Sequence, residues 1–62
     1  MTIIEGFYVG TFRDNVFIND DRGKRHSIKA SENLVSFIRG LYKFYEPIKL
    51  EIHYNKIKKI IL

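Results

Sequence analysis

The chain has no cysteine and no tryptophan, and a single proline among 62 residues. Without cysteine it has no disulfide staple and no thiolate zinc site. A domain this short buries only about 60% of the surface that its unfolded chain exposes. Stability must then come from packing, from a partner or from self-association. Long apolar runs are also missing. Runs such as Val16-Phe17-Ile18 and Ile60-Ile61-Leu62 fall far short of the roughly 18 residues of a membrane span. The opening Met1-Thr2-Ile3-Ile4-Glu5-Gly6 shows no basic stretch followed by an apolar one, as a signal peptide would. The expected address is the cytoplasm, with no membrane role. Acidic residues are the minority, 7 against 11 Lys and Arg, for a net charge of +4. That balance argues against an acidic, DNA-mimicking surface and permits an anionic partner.

What is present suits a single small domain over residues 1–62. Hydrophobic residues make up 45% and aromatic residues 15%, enough for a core and unlike a disordered chain. No repeat, linker or low-complexity tract interrupts it. Charge is uneven along the chain. Residues 1–21 carry Glu5, Asp14, Asp20 and Asp21 against Arg13, whereas ten of the basic groups and three acidic ones fall in residues 22–62.

Ile3 to Phe12 is rich in β-branched and aromatic residues and reads as a strand. Gly6 and Gly10 inside it suggest a bulge, a bend or a close backbone approach. Arg13-Asp14-Asn15 reads as a turn and Val16–Asn19 as a second strand. Asp20-Asp21-Arg22-Gly23-Lys24 is a strong turn, with Gly23 free to take a positive φ. Arg25 to Ala30 alternates, with His26, Ile28 and Ala30 on one side and Arg25, Ser27 and Lys29 on the other.

The period then changes. Ser31 is a good N-cap, and Glu32 lies where the helix dipole favours an anion. Leu34, Ile38, Leu41, Tyr42 and Tyr45 recur as one apolar helical face, widened by Phe37 and Phe44. Gly40 costs about 1 kcal/mol relative to Ala within a helix, which suggests a close packing contact there. Glu46-Pro47 ends the helix. Ile48, Leu50, Ile52 and Tyr54 then alternate with Lys49, Glu51 and His53 as a strand. Asn55-Lys56 is the candidate turn into a last strand, Ile57–Leu62, in which Lys58 lies opposite Ile57 and Lys59 shares its face.

The fold class expected is mainly β, in the order β-β-β-α-β-β, as a small five-stranded OB-like barrel with one helix. The alternative is an α+β open antiparallel sheet with one helix, completed as a homodimer. Ile4-Glu5-Gly6 followed by strand–turn–strand, the Asp20…Gly23-Lys24 turn and the closing Ile48–Ile52 strand resemble the small OB-fold nucleic-acid-binding proteins. Bacterial translation initiation factor one and S1-type RNA-binding domains are examples. The resemblance covers nearly the whole chain in element order. The chain departs from it in a longer, more apolar helix and a short turn before the last strand. The run strand–Asp-Asp-x-Gly-Lys–strand–helix–strand is also similar to the small uracil-DNA glycosylase inhibitor of Bacillus phages. That family is acidic and this chain basic, so its DNA-mimic mechanism does not carry over.

An OB-type barrel binds unpaired nucleic acid with a positive groove for phosphates and exposed rings for bases, usually on strands two and three. If Val16, Ile18 and Ile28 face inward, then Phe17, Asn19, Arg25, Ser27 and Lys29 face outward together. Arg13, Arg22 and Lys24 would rim that surface, and Lys49, His53, Lys56 and Lys58 would extend its positive field. The expected function is binding of single-stranded DNA or RNA with low sequence specificity. Each element also has a plainer reading. Phe17 can be core, the Arg22–Arg25 cluster a solvated turn, and Lys56-x-Lys58-Lys59 a charged strand edge against aggregation. Tyr8 is a stacking ring or an ordinary barrel-rim tyrosine.

Catalysis finds little support, and no enzyme is expected. His26 and His53 lack metal-ligand spacing. His26 shares a face with Ile28 and Ala30 and reads as a hydrogen-bonded core or rim residue. Asp20-Asp21 lacks an EF-hand context, the serines lack a nucleophile elbow, and phosphate-binding glycine loops are absent. No cofactor or metal is expected. The competing function is a small protein-binding inhibitor or modulator of a host enzyme, of viral or mobile-element origin. Nine aromatic rings are more than one small core buries, so several must lie at the surface or at a contact.

Overall fold

A computed structural model describes residues 2–62. Its elements are β1 (Thr2–Phe12), β2 (Asn15–Asn19), β3 (Arg25–Lys29), α1 (Glu32–Leu41), β4 (Pro47–His53) and β5 (Lys56–Ile60). The strands form one closed ring in the order β1-β2-β3-β5-β4. The mainly β class, the order β-β-β-α-β-β and a closed ring of five strands are therefore present, and the sheet is not open. Within the described residues no helix is long and apolar enough to cross a membrane.

Closure depends on β1, which serves two neighbours in succession. Its first half pairs antiparallel with β4, from Thr2↔Ile52 to Phe7↔Pro47. Its second half pairs with β2, from Phe7↔Asn19 to Phe12↔Asn15. The handover needs Gly6. A Cβ there would collide with the Asn19 carbonyl and come within 2.6 Å of Ile18 Cγ2. Val9 is an extra residue between the pairs Tyr8↔Ile18 and Gly10↔Phe17, and this bulge adds the coil a small barrel needs. The opposite seam is slight. β3 meets β5 through one parallel pair, Lys29↔Lys56.

The core contains Tyr8, Val16, Ile18, Ile28, Ala30, Val35, Ile38, Ile48, Leu50 and Ile57. The alternation expected for β2 and β3 is present. Tyr8 belongs to this core, 6% exposed, and is not a rim or stacking ring. The Ser31 hydroxyl accepts from the Leu34 amide and caps α1, as expected.

The helix is shorter than its apolar periodicity suggests. It stops at Leu41, where Tyr42 takes an extended ψ of 140°. Tyr42 turns back to pack against Tyr8 with ring centroids 6.2 Å apart. Residues 43–46 form a turn in which the Glu46 carboxylate accepts from the Lys43 amide. Phe44 and Tyr45 thus lie beyond the helix. Val35 and Ile38 face the core, while Phe37 and Leu41 remain exposed. Gly40 touches nothing that a Cβ would meet, so no close packing explains it.

The last hairpin also departs from expectation. His53 pairs with Lys56, so the turn is Tyr54-Asn55, with φ values of 52° and 58°. Two positive φ angles make it a turn matched to strand twist. It removes Tyr54 from the inward row and leaves it 89% exposed. Lys58 is a bulge, extra between Ile52↔Ile57 and Glu51↔Lys59. The bulge shifts the phase by one, so Lys59 leaves the face of Ile57. Lys58 and Lys59 instead approach the buried Glu51 carboxylate at 4.0 and 3.9 Å.

Candidate nucleic-acid interface

The outer face of β2 and β3 is built from three cross-strand rows. Asn15 lies opposite Lys29, Phe17 opposite Ser27, and Asn19 opposite Arg25. On the other side of β2 the same rows continue onto Phe12, Gly10 and Phe7 of β1. The middle row is therefore Gly10–Phe17–Ser27, one ring between two residues of little bulk. Phe17 is half-buried there, while Arg25, Ser27 and Lys29 are exposed. Period-two alternation alone produces this set, since Val16, Ile18 and Ile28 occupy the inside.

Two loops close on the outer end of β3. The Ala30 amide donates to the Asp14 carbonyl at 2.8 Å and the Lys29 amide to the Asn55 carbonyl at 3.2 Å. The β1–β2 and β4–β5 turns are thereby fixed beside Lys29. The first brings Arg13, whose guanidinium lies 5.4 Å from the centroid of the exposed Phe12 ring. The second brings His53, Lys56 and Tyr54, with the His53 and Tyr54 rings 4.5 Å apart. Lys56 adjoins Lys29 across the seam, and both line a concavity of 350 Å³ with Asp14, Ala30, Ser31 and Ile57.

The opposite end is organised by Asp20. Its Oδ1 accepts from the amides of Arg22 and Lys24, both at 2.9 Å, and its Oδ2 meets His26 Nε2 at 2.8 Å. The His26 hydrogen bond, then the bond from the Lys24 amide, lowers the Asp20 pKa to about 2. Gly23 takes a φ of 81° in this turn. The Asp20-Asp21 segment is thus a turn, and His26 is its half-buried partner. Arg22 and Lys24 project from it beside Arg25. Asn19 continues the polar edge. Its Oδ1 accepts from Arg25 Nε and its Nδ2 donates to the Tyr45 hydroxyl, each at 3.2 Å.

Of the residues expected in an interface, Arg13, Phe17, Asn19, Arg22, Lys24, Arg25, Ser27, Lys29, His53 and Lys56 therefore fall on this face or its two rims, whereas Lys58 is drawn toward Glu51. Lys49 does not join them. The neighbours of β4 are β1 and β5, and Lys49 is paired with Glu5 at 3.1 Å. A concavity of 610 Å³ lies beside that pair, lined by Phe7, Tyr42, Ile48 and Leu62 among others. Its charges are mixed and it carries no basic excess.

Three exposed rings at the ends of the face, Phe12, Tyr45 and Tyr54, lie outside the binding set that the sequence suggests. Phe12 could have been found from its place beside the Arg13 turn. Tyr45 and Tyr54 read as apolar-face residues until the helix end and the hairpin turn are known. The chain matches no family model, no curated protein and no solved structure.

Proposed function

We propose that this chain binds single-stranded DNA or RNA with low sequence specificity. The observation that carries the reading is the row Gly10–Phe17–Ser27, which sets a ring between the exposed cations Arg25 and Lys29. A base can stack on such a ring whatever its identity, while lysines and arginines take the neighbouring phosphates. Rings at both ends, and basic turns beside them, lengthen the track.

The test is a titration of a labelled oligothymidylate at several salt concentrations. Each phosphate neutralised on a single strand contributes a slope of about −0.7 in log K against log salt. A steep negative slope is expected, and weak binding at every salt concentration would remove the proposal. Phe17→Ala should weaken binding to unpaired strands about 5- to 100-fold and to duplex far less, given the usual worth of one stacked base. Equal losses on both would reduce the interaction to charge alone.

A second reading, a protein-binding inhibitor or modulator, draws on a different surface. Phe37 and Leu41 lie one helical turn apart on α1 and are 54% and 47% exposed. A nucleic acid on β2 and β3 makes no use of them, whereas protein interfaces favour such side chains. Capture of one stoichiometric protein after nuclease treatment, abolished by Phe37→Ser, would favour this reading.

A further inference from the structure

Beyond the β2–β3 face, Tyr45 is held with unusual firmness for an exposed side chain. Its φ is 67°, a left-handed conformation that bulky residues seldom adopt. Its amide donates to the Tyr8 carbonyl at 2.6 Å, and the Glu46 carbonyl accepts from the Tyr8 amide at 2.9 Å. Its ring stacks on Phe7 with centroids 5.4 Å apart and planes 10° from parallel. Its hydroxyl is tied to Asn19, which is tied in turn to Arg25. Backbone, ring face and ring tip are each anchored, yet the residue remains 48% exposed.

Phe44 completes the arrangement. It meets Tyr45 at 5.2 Å with a tilt of 52°, and it is 70% exposed. The tilt leaves most of the Phe44 ring in water, on a base of two stacked rings. Strain persists at positions that the surroundings over-determine, and such positions cluster where ligands are held. Arg25 lies at the same end through Asn19, and Arg22 and Lys24 follow in the next turn.

We infer that Phe44 and Tyr45 form a second stacking station, which takes one further unpaired nucleobase while Arg25 holds the adjoining phosphate. This inference rests on the proposed binding of single strands and extends the footprint from Phe17 toward the Asp20 turn. Asn19 and Phe17 are alternate residues of β2, so their side chains are spaced by about 6.6 Å along the face. A strand on Phe17 therefore needs only a short continuation to reach Tyr45. The occupant is a base and not an isolated apolar group, because the Arg25 guanidinium is tied to the same shelf through Asn19 and supplies a phosphate contact beside the rings.

The test is anisotropy with oligothymidylates of increasing length, comparing the unmodified protein with Phe44→Ala and Phe44→Trp. Phe44 is exposed, so neither change should alter the thermal unfolding curve. For strands long enough to span both stations, Phe44→Ala should weaken binding about 5- to 100-fold. Strands that reach Phe17 alone should bind as before, and Phe44→Trp should retain the long-strand affinity. A loss of the same size at every length would overturn the inference, as would no loss at any length while the unmodified protein binds. Failure of the unmodified protein to bind any strand would instead remove the parent proposal, and this one with it.

Discussion

Lys29 and Lys56 face each other across the one parallel pair that closes the ring. Like charges set directly opposite on a sheet cost about 0.2–1 kcal/mol. The seam would be more stable with one of them neutral, so the pair is a poor choice for stability and a good one for an anion. Lys56→Gln should leave the fold equally or slightly more stable at low salt. The same change should flatten the salt slope of oligothymidylate binding by about 0.7, the worth of one phosphate contact on a single strand. A destabilised variant with an unchanged slope would assign Lys56 to the seam and not to the ligand.

Gly6 and Gly40 should respond in opposite directions to alanine. Gly6→Ala drives a methyl into the Asn19 carbonyl and the Ile18 side chain. Overpacking of this kind costs about 1–3 kcal/mol, and backbone as the obstacle puts the expected loss at the upper end. Gly40 lies in open space on an exposed part of α1. Gly40→Ala should therefore gain about 0.5–1 kcal/mol from helix propensity. Urea unfolding of the two variants measures both, and a loss at Gly40 would show that the glycine serves something other than packing.

Asp20 sets an acid limit on the β2–β3 turn. Its pKa is lowered from 3.8 to about 2 by its hydrogen bonds in the folded state. A lowered carboxyl pKa contributes stability that is fully present above the unfolded value and is lost as pH falls through the folded one. The turn should thus hold through pH 4 and loosen between pH 3.8 and about 2. Carboxyl-carbon NMR of Asp20 reads the midpoint directly. With His26→Phe the largest of the lowering contacts is gone, and the midpoint should move up toward 3.8 while the two amide donors keep it below that value. An unmoved midpoint would show that the amides alone hold the carboxylate.

The Tyr54-Asn55 turn invites a trade of function against stability. Both residues hold positive φ, where Asn-Gly is the better pair. The double variant Tyr54→Asn/Asn55→Gly should gain about 0.5–2 kcal/mol of stability. It should also bind unpaired strands more weakly, because the exposed ring beside His53 is lost. Unfolding and anisotropy on one sample decide the point. A gain in stability at undiminished affinity would take Tyr54 out of the interface.

What was legible in the sequence was local. The Asp20–Lys24 turn, the Ser31 cap and the outward set on β2 and β3 follow from residues a few positions apart. The misreadings come from long-range contacts and single-residue phase shifts. The apolar period runs on through Tyr45, but Tyr42 leaves the helix to pack on Tyr8, thirty-odd residues away in the chain. The bulge at Lys58 turns Lys59 outward without changing the composition of β5. The turn at Tyr54 carries no glycine to announce it. Among the candidate binding residues, Lys56 gains its place from ring closure and Lys49 loses its place from strand order, neither of which is written in local sequence.

The double service of β1 has a practical corollary. Remove that strand and the rest is a four-stranded ribbon, β2-β3-β5-β4, with two bare edges and a single link at its midpoint. Both edges are templates for the same missing segment. A chain cut in the Arg13-Asp14 turn should therefore leave a β1 peptide that both edges can take back, an outcome that mixing the two fragments and following the return of β circular dichroism would test.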